Sequence, residues 1–243
     1  MGPTETSRPA DAAASESERV LPAFVDWILA ALIAVGGLAL TVGGAALTFV
    51  VDRAMLAEGV ESGEITILVF ERDLTEAEML DLTQEVVNWT GIGLLVTGAG
   101  LALFAVGYAV TRHRAHRRVP DEEPASSDRA HAVLGAVVTA LLSFIPFSAV
   151  AGGAVAGYFE HDDTGRSVSV GALSGVLATV PAIAITAFVT VGLYAGLAAV
   201  GESGLGIVTA AAMLLGLLFT AAFGAGLGAV GGFAGGRLAE RDP

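Results

Sequence analysis

The stretch GAGLGAVGGFAGG, residues 224–236, decides how this chain is interpreted, because seven of its thirteen residues are glycine. It closes a run of 34 residues, 203–236, without any Asp, Glu, Lys, Arg or His. A helix crosses a bilayer with roughly 20 apolar residues. Glycine costs about 1 kcal/mol in a soluble helix, but lipid offers no water to replace the backbone hydrogen bonds. The stretch therefore predicts a transmembrane helix rather than a flexible tail.

Small residues recur at every fourth position of this helix, and that spacing aligns them on one face. In lipid, such ridges let helix backbones approach closely and gain van der Waals contact. Shorter rows of the same kind occur in two earlier runs. We expect packing through these residues, either within one chain or between chains: Gly216, Thr220, Gly224, Gly228, Gly232 and Gly236, with Gly171 and Gly175, and with Gly153 and Gly157.

A phosphate-binding loop is the rival interpretation of so many glycines. Such loops follow a strand, open an amphipathic helix and usually have a Lys or an acidic partner. None of these features accompanies residues 224–236. We therefore predict no nucleotide site here and no cofactor for the chain.

Five runs lack ionisable residues, and together they hold 145 residues: 27–51, 89–111, 132–159, 167–201 and 203–236. Each is long enough to cross a bilayer, and helices satisfy their own backbone in lipid. The pattern predicts an all-α, polytopic transmembrane bundle, with five spans, or six if one long run folds as a hairpin. Pro146 and Pro181 lie inside the third and fourth runs, where we expect them to kink the helices.

The organisation that follows has two membrane modules. We expect a disordered cytoplasmic tail, a two-span module with one extracytoplasmic loop (52–88), a cytoplasmic linker, a glycine-rich three-span module and a short tail: residues 1–23, 24–118, 119–130, 131–237 and 238–243. In the loop, Thr75 and Glu78 have the spacing of a capping box that opens a helix.

The basic cluster TRHRAHRR, residues 111–118, sets the orientation by the positive-inside rule. Its arginines are expected to be cytoplasmic, which places the N-terminus in the cytoplasm and the chain in the cell membrane as a multi-pass protein: Arg112, Arg114, Arg117 and Arg118. Five spans would put the C-terminus outside, and six would put it inside.

The overall charge is strongly acidic, with a net charge of −13, no lysine and no cysteine. Phosphate binding needs clusters of basic residues, so nucleic acid is not expected as a partner. Disulfides and cysteine-based metal sites are excluded. The lysine-free acidic composition is typical of salt-loving archaea, although a GC-rich genome would also favour arginine over lysine.

Chemistry inside a membrane usually leaves ionisable residues at depth, and the five runs contain none. His161, Asp162 and Asp163 have metal-ligand side chains, but three polar residues in a short loop are more often solvated. We predict no catalytic, cofactor or metal site. The expected function is a non-enzymatic membrane protein that packs or assembles through its glycine ridges, with lipid, a second copy or other membrane subunits as partners.

The alternative is a small channel or an uncoupled solute transporter. Proline-broken helices lined by hydroxyls can form substrate sites at the membrane midplane. Ser143 and Ser148 flank Pro146, and Thr179 precedes Pro181.

The block from Gly135 to Pro181 contains LSFIPFS, GGAVAGY and VGALSG. With these segments, residues 131–236 resemble a haloarchaeal family of small, glycine-rich integral membrane proteins of unknown function. The resemblance implies a membrane location and a halophilic source. It carries no activity and assigns no functional residue.

Overall fold

The computed structural model describes residues 23–64, 68–69, 72–117, 127–143, 145–160 and 164–241. Nearly all of them are helical. The helices are α1 (Ala23–Phe49), α2 (Arg53–Glu61), α3 (Glu76–Arg117), α4 (Ser127–Leu141), α5 (Ser148–Phe159), α6 (Thr164–Ala199) and α7 (Ser203–Ala239). Two antiparallel two-residue strands, β1 (Leu68–Val69) and β2 (Arg72–Asp73), lie between α2 and α3. The expected tail and linker lie mostly outside the described residues.

Four helices in this part of the chain, α1, α3, α6 and α7, are long and apolar enough to cross a membrane. The all-helical class with long apolar helices is therefore confirmed, but the expected count of five spans is not. The third run forms α4, of 15 residues, and α5, of 12 residues. At 1.5 Å per residue they are about 22 Å and 18 Å long, which is shorter than the roughly 30 Å hydrocarbon core.

The turn at residues 142–147 separates α4 from α5, so Pro146 lies between two helices and does not kink a continuous one. Proline lacks the N–H that a helix needs, and its ring clashes with the carbonyl four residues earlier. The Ile145 N–H donates to the Leu142 carbonyl at 2.7 Å. Phe147 has a left-handed φ of 64°, which reverses the chain before α5 begins. The third run is therefore a helical hairpin, named here the α4–α5 hairpin.

Helices α1 and α3 form an antiparallel pair. Gly44 lies against Gly91 near one end, and Gly37 lies against Gly98 further along. Near the other end, the Tyr108 hydroxyl donates to Asp26 Oδ1 at 2.8 Å. The beginning of α1 therefore lies beside the arginine-rich end of α3.

The predicted capping box at the start of α3 is confirmed. The Thr75 N–H donates to Glu78 Oε2 at 2.9 Å, and the Glu78 N–H donates to Thr75 Oγ1 at 3.3 Å. From this cap, α3 runs for 42 residues without a break. Its first turns pack on the end of α6, where Leu82 and Leu197 belong to one buried cluster.

Helix α6 runs antiparallel to α3, and α7 returns beside α6. Gly196 of α6 lies against Leu82, and Gly93 of α3 lies against Phe188. Trp89 stacks on Phe188 with ring centroids 6.4 Å apart. Because α7 reverses direction once more, its last residues lie at the end of the bundle where α1 begins. The first residues of α1 and the last residues of α7 thus lie at the same end of the bundle.

Candidate functional site

Helix α7 presents one row of glycines to α6. A Cβ atom at Gly228 would overlap the carbonyl oxygen of Gly171, and one at Gly232 would overlap the carbonyl oxygen of Ser167. Gly224 lies against Gly175, and a Cβ there would be 3.0 Å from Thr179 Cγ2. In this row the two backbones touch, since no side chain separates them. The close contacts of these glycines are made inside one chain.

The same helix also holds α5. A Cβ at Gly153 would overlap the carbonyl of Gly228, and one at Gly157 would overlap the carbonyl of Gly232. Helices α5 and α7 run parallel here, because both numbers of each contact rise together. A second row, which was not part of the predicted ridge although its two glycines are also four residues apart, faces Val150 and Ala154 of α5: Gly231 and Gly235.

The first two positions of the predicted ridge, Gly216 and Thr220, do not take part in these contacts. A Cβ at Gly216 would meet nothing within 4 Å, and Thr220 is exposed. The Thr220 hydroxyl donates to the Gly216 carbonyl at 2.8 Å. The structure therefore brings together the last four positions of the row and leaves the first two on the outer surface.

Sequence reasoning missed the glycine contacts between α1 and α3. Gly37 and Gly44 are seven residues apart, and so are Gly91 and Gly98. Two helical turns separate such positions, so they share a face. A search at a spacing of seven residues, in addition to four, would have found these pairs.

At the end of the α4–α5 hairpin opposite its turn, a buried polar pair joins the two arms. His131 Nδ1 lies 3.0 Å from Glu160 Oε2, and their side chains are only 6% and 3% exposed. The Ser167 hydroxyl donates to the Glu160 carbonyl at 2.8 Å. These three residues connect the first turns of α4, the end of α5 and the start of α6.

This polar set is not arranged as a catalytic triad. A serine nucleophile requires its hydroxyl to donate to the imidazole, but the Ser167 hydroxyl donates to a backbone carbonyl. Within the described residues, no group of three or more His, Asp or Glu side chains is placed to hold a metal ion. His161, Asp162 and Asp163 lie outside those residues. The geometry of the His131–Glu160 pair therefore indicates a structural connection between helices.

Sequence reasoning also missed Glu160, because it follows the third apolar run directly and meets His131 only through the hairpin. Asp26 was missed for a similar reason. It precedes the first run, yet it is only 4% exposed and accepts a hydrogen bond from Tyr108.

The other residues singled out from the sequence are Pro181 and the arginines of residues 111–118. Pro181 lies inside α6, which continues as one helix on both sides of it. Arg114 is exposed in the last part of α3. The backbones of Arg112 and Arg117 lie in the same segment, whereas Arg118 is outside the described residues.

A family model matches nearly the same region as the sequence resemblance. Residues 129–238 match the model of a family of unknown function (DUF5518). This region takes in His131, Glu160 and most of the four helices from α4 to α7. No curated protein and no solved structure matches the chain.

Proposed function

We propose that the chain is a non-enzymatic integral membrane protein that works as a subunit of a membrane assembly. The observation that carries this proposal is the turn of the α4–α5 hairpin, residues 142–147, whose described residues are non-helical and in which Ser143, Ile145, Pro146 and Phe147 are exposed. We name it the hairpin tip.

The packing of α5 supports a deep position for the tip. Gly153 lies beside Gly228, and Gly157 lies beside Gly232. Ser148, where α5 begins, is five residues or about 8 Å before Gly153 along the helix axis, which makes it level with about residue 223. That position is two residues from the midpoint of α7, which spans Ser203–Ala239. If α7 crosses the bilayer, the tip lies near the midplane.

A non-helical backbone at this depth needs a cover. Irregular backbone inside the hydrocarbon region is tolerated only where protein buries it or where it faces a water-filled cavity. Two large apolar side chains of the tip are exposed in the single chain: Ile145 is 46% and Phe147 is 66% exposed. Such side chains favour protein over water as the cover. We infer that a second copy of the chain covers the tip, in a closed symmetric assembly.

The glycine rows have a different role in this proposal. The sequence left open whether they join helices of one chain or of several. Gly228 and Gly232 are occupied by contacts with α5 and α6. They therefore build the subunit, and the contact between subunits is assigned to the hairpin tip.

The absence of cysteine makes a direct test simple. Phe147→Cys is expected to yield disulfide-linked dimers when native membranes are oxidised. Phe219→Cys is the matched control, because Phe219 is 69% exposed and lies at a similar level on α7. Linkage at position 147 that clearly exceeds linkage at 219 supports the proposal. Absent or equal linkage at the two positions contradicts it.

A small channel or uncoupled transporter is the second candidate. One observation favours it: Ser143 and Pro146 lie in an exposed turn of a hairpin whose arms are too short to span, and broken helices of this kind form midplane sites in transporters. Reconstituted vesicles separate the two functions. Solute or ion flux that Ser143→Ala or Pro146→Ala alters would favour transport, whereas an assembly subunit gives none.

For localisation we propose the cell membrane, with the N-terminus in the cytoplasm. Arg114 and Arg237 lie at the same end of the bundle, which suits the positive-inside rule if that end is cytoplasmic. The C-terminus would then be cytoplasmic as well. We also propose a halophilic archaeal source, which the lysine-free acidic composition supports.

A further inference from the structure

At the other end of the bundle, away from His131 and Glu160, the structure contains a cavity of about 380 Å³. It lies among the end of α1, the start of α2, the first turns of α3 and the end of α6. Its apolar wall includes Leu47, Val51 and Leu56. Its polar wall contains Arg53, Asp81, Gln84, Glu85 and Asn88.

The one basic group of the wall is already engaged. Arg53 Nη2 lies 2.6 Å from Asp81 Oδ1, and Arg53 Nη1 donates to Gln84 Oε1 at 3.0 Å. The positive charge of Arg53 therefore compensates the negative charge of Asp81. Glu85 is one helical turn further along α3, and no ion pair to it occurs among the described residues. The cavity therefore keeps one uncompensated carboxylate.

The negative charge of the surrounding residues also favours a cation. Residues 52–88 contain ten acidic residues and two arginines. A surface of one dominant sign raises the local concentration of the opposite ion and speeds its arrival. The field alone does not select a ligand, but it adds to the attraction of Glu85.

The wall chemistry narrows the kind of cation. Ca²⁺ and Mg²⁺ take six or more oxygen ligands, whereas much of this wall is aliphatic. Quaternary ammonium groups are recognised by aromatic cages, and no aromatic residue lines the cavity. A protonated primary amine fits better, because its N–H groups can donate to Glu85 and to the side-chain oxygen of Asn88.

We propose that this cavity binds a protonated primary alkylamine, with Glu85 as its counter-charge, Asn88 as a hydrogen-bond acceptor and the aliphatic wall around the alkyl chain. The volume lies within the range of small-molecule sites. This site is independent of the hairpin tip and goes beyond the proposed assembly function.

The test is calorimetric titration of the full chain in detergent with butylammonium chloride at fixed ionic strength. We expect saturable binding that Glu85→Gln weakens about tenfold or more, as the loss of a charged hydrogen bond implies. Glu61→Gln is the matched control, because it removes the same charge from the exposed end of α2. It should leave the affinity within about twofold. Absence of saturable binding, or equal weakening in both variants, overturns the proposal.

Two further probes examine the selectivity. Butanol, which has no charge, and tetramethylammonium, which has no N–H, should each bind about tenfold more weakly than butylammonium. Equal binding of either overturns the proposal. If Glu85→Gln loses its helical circular dichroism, Asn88→Leu replaces it, and that variant should also weaken binding of butylammonium but not tetramethylammonium.

The amine can come from a lipid headgroup or from solution, and competition distinguishes the two sources. In detergent micelles, displacement of butylammonium by a phospholipid with an ethanolamine headgroup, at lower concentration than by free ethanolamine, identifies a lipid. Displacement by free ethanolamine at equal or lower concentration identifies a soluble amine. Displacement by neither overturns the assignment of the amine to either of these two sources.

Discussion

Gly171 and Gly228 face each other so closely that a Cβ atom added to either would overlap the carbonyl oxygen of the other. Gly228 also carries Gly153 of α5 on its own carbonyl side. Three helices therefore meet at backbone contact around one residue. The stability of the glycine-rich half should depend on this crossing.

Gly228→Ala should lower the free energy of unfolding by about 1–3 kcal/mol, as overpacking does in closely packed interiors. Gly216→Ala, on the same helix, should change it little, because a Cβ there meets nothing within 4 Å. The measurement is denaturant unfolding in mixed micelles followed by circular dichroism. Equal effects of the two substitutions would contradict the packing described.

A second matched pair tests the contact between α1 and α3. Gly98 and Gly100 are two residues apart, but a Cβ at Gly98 would overlap Gly37 and Thr41, whereas one at Gly100 would meet nothing within 4 Å. Gly98→Ala should therefore destabilise the protein by about 1–3 kcal/mol. Gly100→Ala should be tolerated, and thermal unfolding of the two variants side by side compares them.

The hairpin itself is open to a distance measurement in bilayers. Spin labels on cysteines at Arg129 and Tyr158 should lie close together, because His131 and Glu160 are in contact. A continuous helix would separate the labelled positions by about 44 Å. Pulsed electron resonance distinguishes these distances easily, and a long distance would rule out the hairpin. Pro146→Ala should leave the short distance unchanged, because the contacts of α5 with α7 remain.

The His131–Glu160 pair should be strongly coupled. His131→Leu leaves the Glu160 carboxyl group, which is 3% exposed, without its hydrogen-bond partner, and an unsatisfied buried polar group costs about 1–3 kcal/mol. Replacing both residues with leucine should cost less than the sum of the single changes. A double-mutant cycle of unfolding free energies measures this coupling, and additive effects would show that the pair contributes no interaction of its own.

Hydropathy and residue spacing predicted the features that depend only on residues close together in the sequence. The apolar runs predicted the four long helices, and Thr75 with Glu78 predicted the start of α3. The four-residue spacing singled out Gly228, which lies in the crossing. These features could be found because lipid imposes helix on any long apolar run.

Long-range features could not be found in the same way. Pro146 is compatible with a kink and with a turn, and the choice depends on contacts of α5 with α7, some 75 residues away in the sequence. His131 meets Glu160 only after the chain has turned. The cavity beside Glu85 is formed by four helices and has no local pattern.

The parallel packing of α5 on the last third of α7 has a consequence for synthesis in the cell. The ribosome synthesises the chain from its N-terminus. Helix α5 is therefore made well before the residues on which it packs, Gly228 to Gly235. Until then, α5 can pack only on α4 and α6. A chain cut short before residue 228 would lack the backbone contacts between α5 and α7 that fix the position of the hairpin.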